Sequence, residues 1–249
     1  MTMLKLFAGL GPLDARSIGR DALLRWMLIV PLFVTVPMRL VLPAVLARIG
    51  AALSTDLLPL YAPIASAALL LLTPVLYGMV IGFQLLDQRD DQTLVALQVT
   101  PLPPGQYLAY RLATPTVASA AIGLIALPLA GLPGIRLWAL VLAALASALL
   151  APLTALALAC FAANKVQGLA LMKAGSVLLM APLAGLFSHS GWRHLLGVLP
   201  TYWPANIYWL FQAGAPHAWL FLAVALVYQL ALVLVLVRRF RRVMHRGDR

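Results

Sequence analysis

The chain has 249 residues, of which 63 % are hydrophobic and 10 % are charged, and its mean hydropathy is +0.96. This composition excludes an ordinary water-soluble domain and a disordered chain, and it indicates a polytopic membrane protein. The net charge of +11 does not require a nucleic-acid partner, because basic residues beside membrane spans are attracted to anionic lipid.

Six apolar windows are long enough to cross a hydrocarbon core of about 30 Å as helices. They cover residues 22–47, 61–85, 112–131, 137–163, 168–187 and 218–237. We therefore predict an all-α fold with six transmembrane helices in a single domain that covers residues 1–249. The first window contains three prolines, which predicts a kinked span that ends near Pro37 and is followed by an interfacial piece carrying Arg39.

Basic residues are concentrated near both ends of the chain. Four lie before or at the start of the first window, and six arginines follow the last window. The positive-inside rule therefore predicts that both termini are cytoplasmic. With six spans, the same orientation leaves Arg89, Arg111 and Lys165 on the cytoplasmic side as well.

Two further segments are predicted to lie at the membrane surface. Residues 1–21 mix leucines with charged residues, which suits an amphipathic interfacial helix that is broken near Gly9, Gly11 and Pro12. Residues 188–217 are aromatic and apolar, so we predict a broken, outer re-entrant helical pair before the last span.

A polar segment at residues 86–110 interrupts the apolar chain and contains three of its seven acidic residues, Asp87, Asp90 and Asp91. If this segment is helical, it has one packing edge and one charged edge, and the prolines from Pro101 onward stop it. Because a transmembrane helix is attached on each side, we predict a coupling segment that meets a partner in water. A plain loop is the alternative.

The residue order in this segment carries a resemblance. It runs Asp90-Asp91-Gln92-Thr93-Leu94-Val95-Ala96-Leu97-Gln98-Val99-Thr100-Pro101-Leu102, and a Tyr-Leu pair follows before Arg111. This order resembles the cytoplasmic coupling segment of type-2 ATP-binding-cassette (ABC) exporter permeases. Residues 164–170 and 199–204 are similar to the fluoroquinolone-exporter-type branch of that family.

The resemblance implies a six-helix permease subunit in the bacterial inner membrane. It would pair with a second permease copy or a related permease, as a homodimer or heterodimer, and recruit separate ABC ATPase subunits. The implied ATPase-coupling residues are Asp87, Asp90, Asp91, Thr93, Leu94, Leu97, Thr100 and Pro101, with a second cytoplasmic contact at Asn164 and Lys165. The chain departs from the family's acid-x-Gly-Thr-Leu pattern, because Gln92 stands at the glycine position, and it contains no Glu.

The sequence does not indicate an enzyme. It has no Gly-x-x-x-x-Gly-Lys-Ser/Thr phosphate loop, so ATP and Mg are expected in the partner subunit, and we assign no catalytic, cofactor or metal site to this chain. The exported molecules are expected to be drugs or amphipathic, lipid-like compounds, which suit an apolar and aromatic path. An ion-coupled secondary transporter is an alternative, although it would need acids at the midplane. A non-transporting membrane scaffold is another.

No residue of the substrate path is assigned from the sequence. Lys173 is an ionisable residue inside the fifth window. Such a residue faces a cavity or a partner, or it extends its ammonium group to the lipid headgroups. Both interpretations of Lys173 stay open at this stage.

Overall fold

The structure is a computed structural model that describes residues 3–91, 103–132, 136–187 and 191–246. Within these ranges the chain forms ten α-helices and no β-strand. They are α1 (Met3–Arg20), α2 (Ala22–Leu53), α3 (Tyr61–Asp90), α4 (Pro104–Leu129), α5 (Leu137–Ala148), α6 (Leu150–Phe161), α7 (Lys165–Gly175), α8 (Ala181–Phe187), α9 (Tyr202–Gln212) and α10 (Ala218–Arg246). Short 3-10 helices cover Leu58–Leu60, Ser176–Met180 and Gly191–Val198.

Six spans in the described residues are long and apolar enough to cross a membrane, which confirms the predicted number. They cover Ala22–Leu53, Leu58–Asp90, Gly105–Leu129, Leu137–Phe161, Lys165–Phe187 and Ala218–Arg242, and are called spans one to six. Span four joins α5 to α6 through Leu149. The interruption follows from Pro152, which lacks the N–H that would bond to the carbonyl four residues earlier.

Spans two and four form the centre of the bundle. In each of them, 72 % of an apolar 18-residue stretch is buried, compared with 11 % in spans one and five. Gly78 allows the close approach, because a Cβ at this position would lie 2.4 Å from the carbonyl oxygen of Ala151. The Ser147 hydroxyl donates to the carbonyl of Leu70 across the same contact. Small residues therefore bring the two helices together, as is common between membrane helices.

The structure corrects the prediction for span one. Helix α2 continues through Pro31, Pro37 and Pro43 to Leu53, and it does not end near Pro37. Each proline removes one backbone hydrogen bond, which a transmembrane helix tolerates when its neighbours supply other partners. Arg39 lies within this helix and donates to the carbonyl of Leu129 at 3.1 Å, at the C-terminal end of α4.

Two other boundaries also differ from the prediction. Helix α1 is continuous from Met3 to Arg20 and includes Pro12, so the predicted break is wrong. Helix α4 begins at Pro104, which suits the first position of a helix because its missing N–H needs no partner there. Arg111 is therefore a buried residue of span three and does not precede it.

The segment before span six contains two helices, the 3-10 helix Gly191–Val198 and α9. In α9, Tyr208 packs with the core between spans two and four, and Phe211 packs with the start of span six. The indole N–H of Trp209 donates to the hydroxyl of Ser66 in span two at 2.9 Å. The aromatic residues of this segment therefore attach it to the bundle, and its predicted re-entrant course stays a prediction.

Candidate functional site

A buried ion pair joins α1 to span three. The Arg111 guanidinium donates to Asp14 Oδ1 at 2.7 Å, and the two side chains are only 6 % and 13 % exposed. The same guanidinium donates to Gln84 Oε1 of span two at 3.2 Å. Removing one member of such a pair leaves a buried charge without compensation. Burial of the pair is itself favourable only if further hydrogen bonds satisfy the remaining donors and acceptors.

Two tyrosines of α4 complete this polar cluster. Arg111 Nε donates to the hydroxyl of Tyr107 at 2.7 Å, and that hydroxyl donates to Gln88 Oε1 at 2.6 Å. The hydroxyl of Tyr110 donates to the second oxygen of Asp14 at 2.7 Å. We call Asp14, Gln84, Gln88, Tyr107, Tyr110 and Arg111 the Asp14–Arg111 network. It connects α1, span two and span three through charge-assisted bonds, which are stronger than neutral ones.

Lys165 makes a second connection at the same end of the bundle. Its ammonium lies 2.9 Å from Asp87 Oδ2 at the end of span two and 3.2 Å from Asp21 Oδ2 before span one. Asp21 also caps α2 by accepting from the backbone N–H groups of Leu23 and Leu24. Asp21, Asp87 and Lys165 therefore lie together at one end of the bundle. We call this end the α1 end.

The surroundings of Asp21 lower its pKa. Burial by itself would raise the pKa of this carboxyl group, but the hydrogen bond and the positive charge of Lys165, together with the capping N–H groups, favour the charged form and lower its pKa below the ordinary value. Asp21 is therefore ionised throughout the neutral range, and the link to Lys165 is present there.

The end of span two is also attached to the connection between spans four and five. The guanidinium of Arg89 donates to the carbonyl of Ala162 at 3.0 Å and to that of Ala163. Asn164 caps α7 by accepting from the backbone N–H of Gln167 at 2.9 Å. A displacement at the end of span two would therefore reach span five through two contacts, Arg89 with this connection and Asp87 with Lys165.

The structure places only some of the residues that the sequence singled out. Asp87 contacts Lys165, whereas Asp90 and Asp91 are exposed at the end of α3. Lys165 lies at the α1 end through this contact with Asp87, and Asn164 directly precedes it as the N-cap of α7. Another five residues, Thr93, Leu94, Leu97, Thr100 and Pro101, lie outside the described residues. Their assignment to ATPase coupling stays a prediction.

A polar cavity of about 510 Å³ lies between α1 and the ends of spans two and three. Its walls include Asp14, Arg111, Asp87, Asp90 and Asp91. Four members of the Asp14–Arg111 network therefore line the cavity together with the exposed acids Asp90 and Asp91, and these members are Asp14, Gln84, Gln88 and Arg111. The acids predicted from the sequence therefore lie next to a hydrogen-bonded network that connects three helices.

The Asp14–Arg111 network was not predicted from the sequence. Arg111 was expected only as a basic residue on the cytoplasmic side, and no role was expected for Asp14. Two signals were present, because Tyr107 and Arg111 are four residues apart and so share a helix face, and Asp14 is the single acid of α1. Neither signal names the partner on another helix.

An apolar cleft lies beside span five. It has a volume of about 460 Å³ and is lined by spans two, four and five and by Pro200 and Thr201. The lining includes Met79, Phe161 and Lys173. Span five changes from α-helix to 3-10 helix over Ser176–Met180 along this cleft. A 3-10 stretch within a helix often marks a hinge or strain.

Comparison with known proteins gives one consistent result. A family profile described as fluoroquinolones export permease protein Rv2686c-like matches residues 14–237. Two curated proteins of Mycobacterium tuberculosis are each 34 % identical to this chain over 242 residues, which cover 95 % of this chain and 94 % of the relative. They are the fluoroquinolones export permease proteins MT2760, of strain CDC 1551 / Oshkosh, and Rv2686c, of strain ATCC 25618 / H37Rv. No solved structure matches the chain.

Proposed function

The chain belongs to the Rv2686c-like family of fluoroquinolone export permeases, and on that premise we propose how it works. It is the membrane-spanning subunit of an ABC transporter that exports fluoroquinolones or related amphipathic drugs. ATP is hydrolysed by a separate ATPase subunit, and a second permease copy or a related permease completes the membrane part. Both termini are cytoplasmic, so the α1 end of the bundle faces the ATPase.

The observation that carries this proposal is the arrangement of contacts at the α1 end. The polar segment begins at the end of span two, where Asp87 and Arg89 are attached to span five through Lys165 and the carbonyls of Ala162 and Ala163. The segment leads back into span three, where Arg111 is attached to α1. A load applied by an ATPase to this segment would therefore reach α1, span three and span five directly.

The connection between α1 and span three is more rigid than the contacts of Lys165. The Asp14–Arg111 pair is buried, and the guanidinium also donates to Tyr107 and Gln84, so separating its members costs several kcal/mol. The Lys165 contacts are about one-third exposed, and pairs of that kind contribute at most about 1 kcal/mol. We infer that span three moves together with α1, whereas the contacts of Lys165 can exchange during the transport cycle.

The apolar cleft suits the proposed substrates. Its volume of about 460 Å³ falls in the range of pockets that hold drug-sized molecules, about 300–1,000 Å³. Spans two and five both line it, together with span four, and the contacts at the α1 end connect spans two and five. Movement of span five relative to span two would open or close the cleft, so ATP-driven displacement of the polar segment would change access to it.

The first test is capture of the ATPase. The chain is purified in mild detergent together with candidate ATPase subunits from its own cell, and the wild type is compared with the double variant Asp90→Lys, Asp91→Lys. Both acids are exposed, so the variant should elute and melt like the wild type. It should lose the ATPase subunit and drug-stimulated ATP hydrolysis, because the sign of the contact surface is reversed.

Asp56→Lys is the matched control. Asp56 is an exposed acid between spans one and two, at the opposite end of the bundle, and this variant should keep the ATPase. Intact ATPase recruitment and export in the double variant would refute the coupling assignment. A folded wild type that captures no ATPase would favour the secondary-transporter or scaffold class.

A further inference from the structure

Lys173 has an unusual position in the apolar cleft. It is the single charged residue among the described residues that line it. It lies eight positions after Lys165, which corresponds to about 12 Å along a helix, so it is well inside span five. Lys173 is an exposed residue, and a charge at the centre of a span costs about 3 kcal/mol on insertion scales. The described residues form no salt bridge to Lys173, so this cost is not offset by an acidic partner within them.

The other polar groups of the lining offer little to a ligand as donors. The hydroxyls of Thr154, Ser176 and Thr201 each donate to a backbone carbonyl. A hydroxyl has one hydrogen, so these groups can still accept a hydrogen bond but have already used their donor. The ammonium of Lys173 has three N–H donors. The charge and the donor capacity of the cleft therefore come from one residue, and they are complementary to an anion.

The backbone next to Lys173 lies at a change in helix geometry. Ser176, three residues later, begins the 3-10 stretch of span five, and its hydroxyl donates to the carbonyl of Lys173 at 2.7 Å. A change between α and 3-10 geometry at this point would rotate the side chains on either side relative to each other. A ligand held by Lys173 would be moved relative to the apolar walls contributed by spans two and four.

We propose that Lys173 determines substrate specificity by binding a carboxylate of the exported molecule, while the apolar walls of the cleft hold its ring system. The inference rests on the proposed export function and adds the residue that would recognise the carboxylate of the substrate. A charge-assisted hydrogen bond in an apolar cleft is stronger than one in water. A molecule of the same shape without the negative charge would leave the ammonium uncompensated and bind less tightly.

The test compares two probes that differ only in this charge, a fluoroquinolone and its methyl ester. Each is titrated against the full chain together with its ATPase subunit in phosphatidylcholine nanodiscs, and binding is followed by the fluorescence anisotropy of the probe. The variants are Lys173→Gln, Lys173→Arg and the control Arg242→Gln. Arg242 is an exposed cation at the end of span six and does not line the cleft.

The wild type should bind the acid more tightly than the ester. Lys173→Gln should weaken binding of the acid about tenfold and leave binding of the ester unchanged, whereas Lys173→Arg and Arg242→Gln should keep the preference for the acid. Equal binding of acid and ester by a wild type that still exports drugs would overturn this inference and leave the export function intact. A wild type that neither binds nor exports either probe would overturn both.

A second set of nanodiscs separates the drug carboxylate from an anionic lipid headgroup, whose negative charge would also attract Lys173. The titrations are repeated in phosphatidylglycerol. The preference for the acid should persist in both lipids. If Lys173→Gln changes binding only in phosphatidylglycerol, and changes it equally for both probes, then Lys173 serves the lipid headgroups and the proposal is wrong.

Discussion

Removing Asp14 should destabilise the protein far more than removing an exposed acid. Asp14→Ala leaves the Arg111 guanidinium without its counter-ion at a site where the two side chains are only 6 % and 13 % exposed, and it also removes the hydrogen bond from the Tyr110 hydroxyl to Asp14. Breaking a buried pair in this way costs about 3–5 kcal/mol. The control Asp56→Ala removes one bond, from the N–H of Leu58 at 3.0 Å, and should cost about 1 kcal/mol or less.

A double-mutant cycle isolates the interaction itself. Arg111→Met removes the charge and keeps much of the stem that packs in the bundle. Combined with Asp14→Ala, it leaves no uncompensated charge, so the double variant should lose less stability than the sum of the two single variants, with a coupling energy of about 2 kcal/mol. The free energies come from reversible unfolding in mixed micelles with increasing sodium dodecyl sulfate, followed by far-UV circular dichroism. Additive effects of the two substitutions would refute the argument.

Two further predictions concern packing and pH. Gly78→Ala places a Cβ 2.4 Å from the carbonyl oxygen of Ala151 and should cost about 1–3 kcal/mol by overpacking. In the control Gly123→Ala the nearest contact is 3.9 Å away, so this variant should be neutral within about 0.5 kcal/mol. Equal melting temperatures for the two variants would contradict the close approach of spans two and four. The pKa of Asp21 is lowered, so its link to Lys165 stabilises the protein above the ordinary aspartate value of about 3.9 and is lost as the pH falls through the lowered value. The difference in melting temperature between wild type and Asp21→Asn should therefore be constant from pH 5 to 7 and shrink below about pH 4, and a constant difference down to pH 3 would exclude this link.

The number of spans and their approximate positions could be predicted because hydropathy is a property of consecutive residues. The errors occurred where local rules compete with tertiary contacts. Three prolines predicted the end of span one near Pro37, yet α2 continues to Leu53, because a bundle and a lipid environment leave the interrupted backbone few alternatives to a helix. Pro12 was likewise expected to break α1 and lies within it.

The candidate site was predictable only in part. Asp87, Asp90 and Asp91 were recognisable because acids are rare in this chain, and Lys165 was recognisable through the resemblance of its segment. Nothing in the sequence predicts that Lys165 contacts Asp21, which is 144 residues away. Periodicity assigns a residue to a face of its own helix, but it does not say which helix that face meets.

The composition of contiguous stretches is enough to predict a six-span membrane protein with a polar segment between spans two and three. Tertiary packing places spans two and four at the centre, pairs Arg111 with Asp14 across 97 positions, and brings Lys173 into the lining of an apolar cleft. Each of these results depends on which helix faces pack together. That choice depends on close approaches such as the one at Gly78 and on partners for buried charges, which come from residues far apart in the chain.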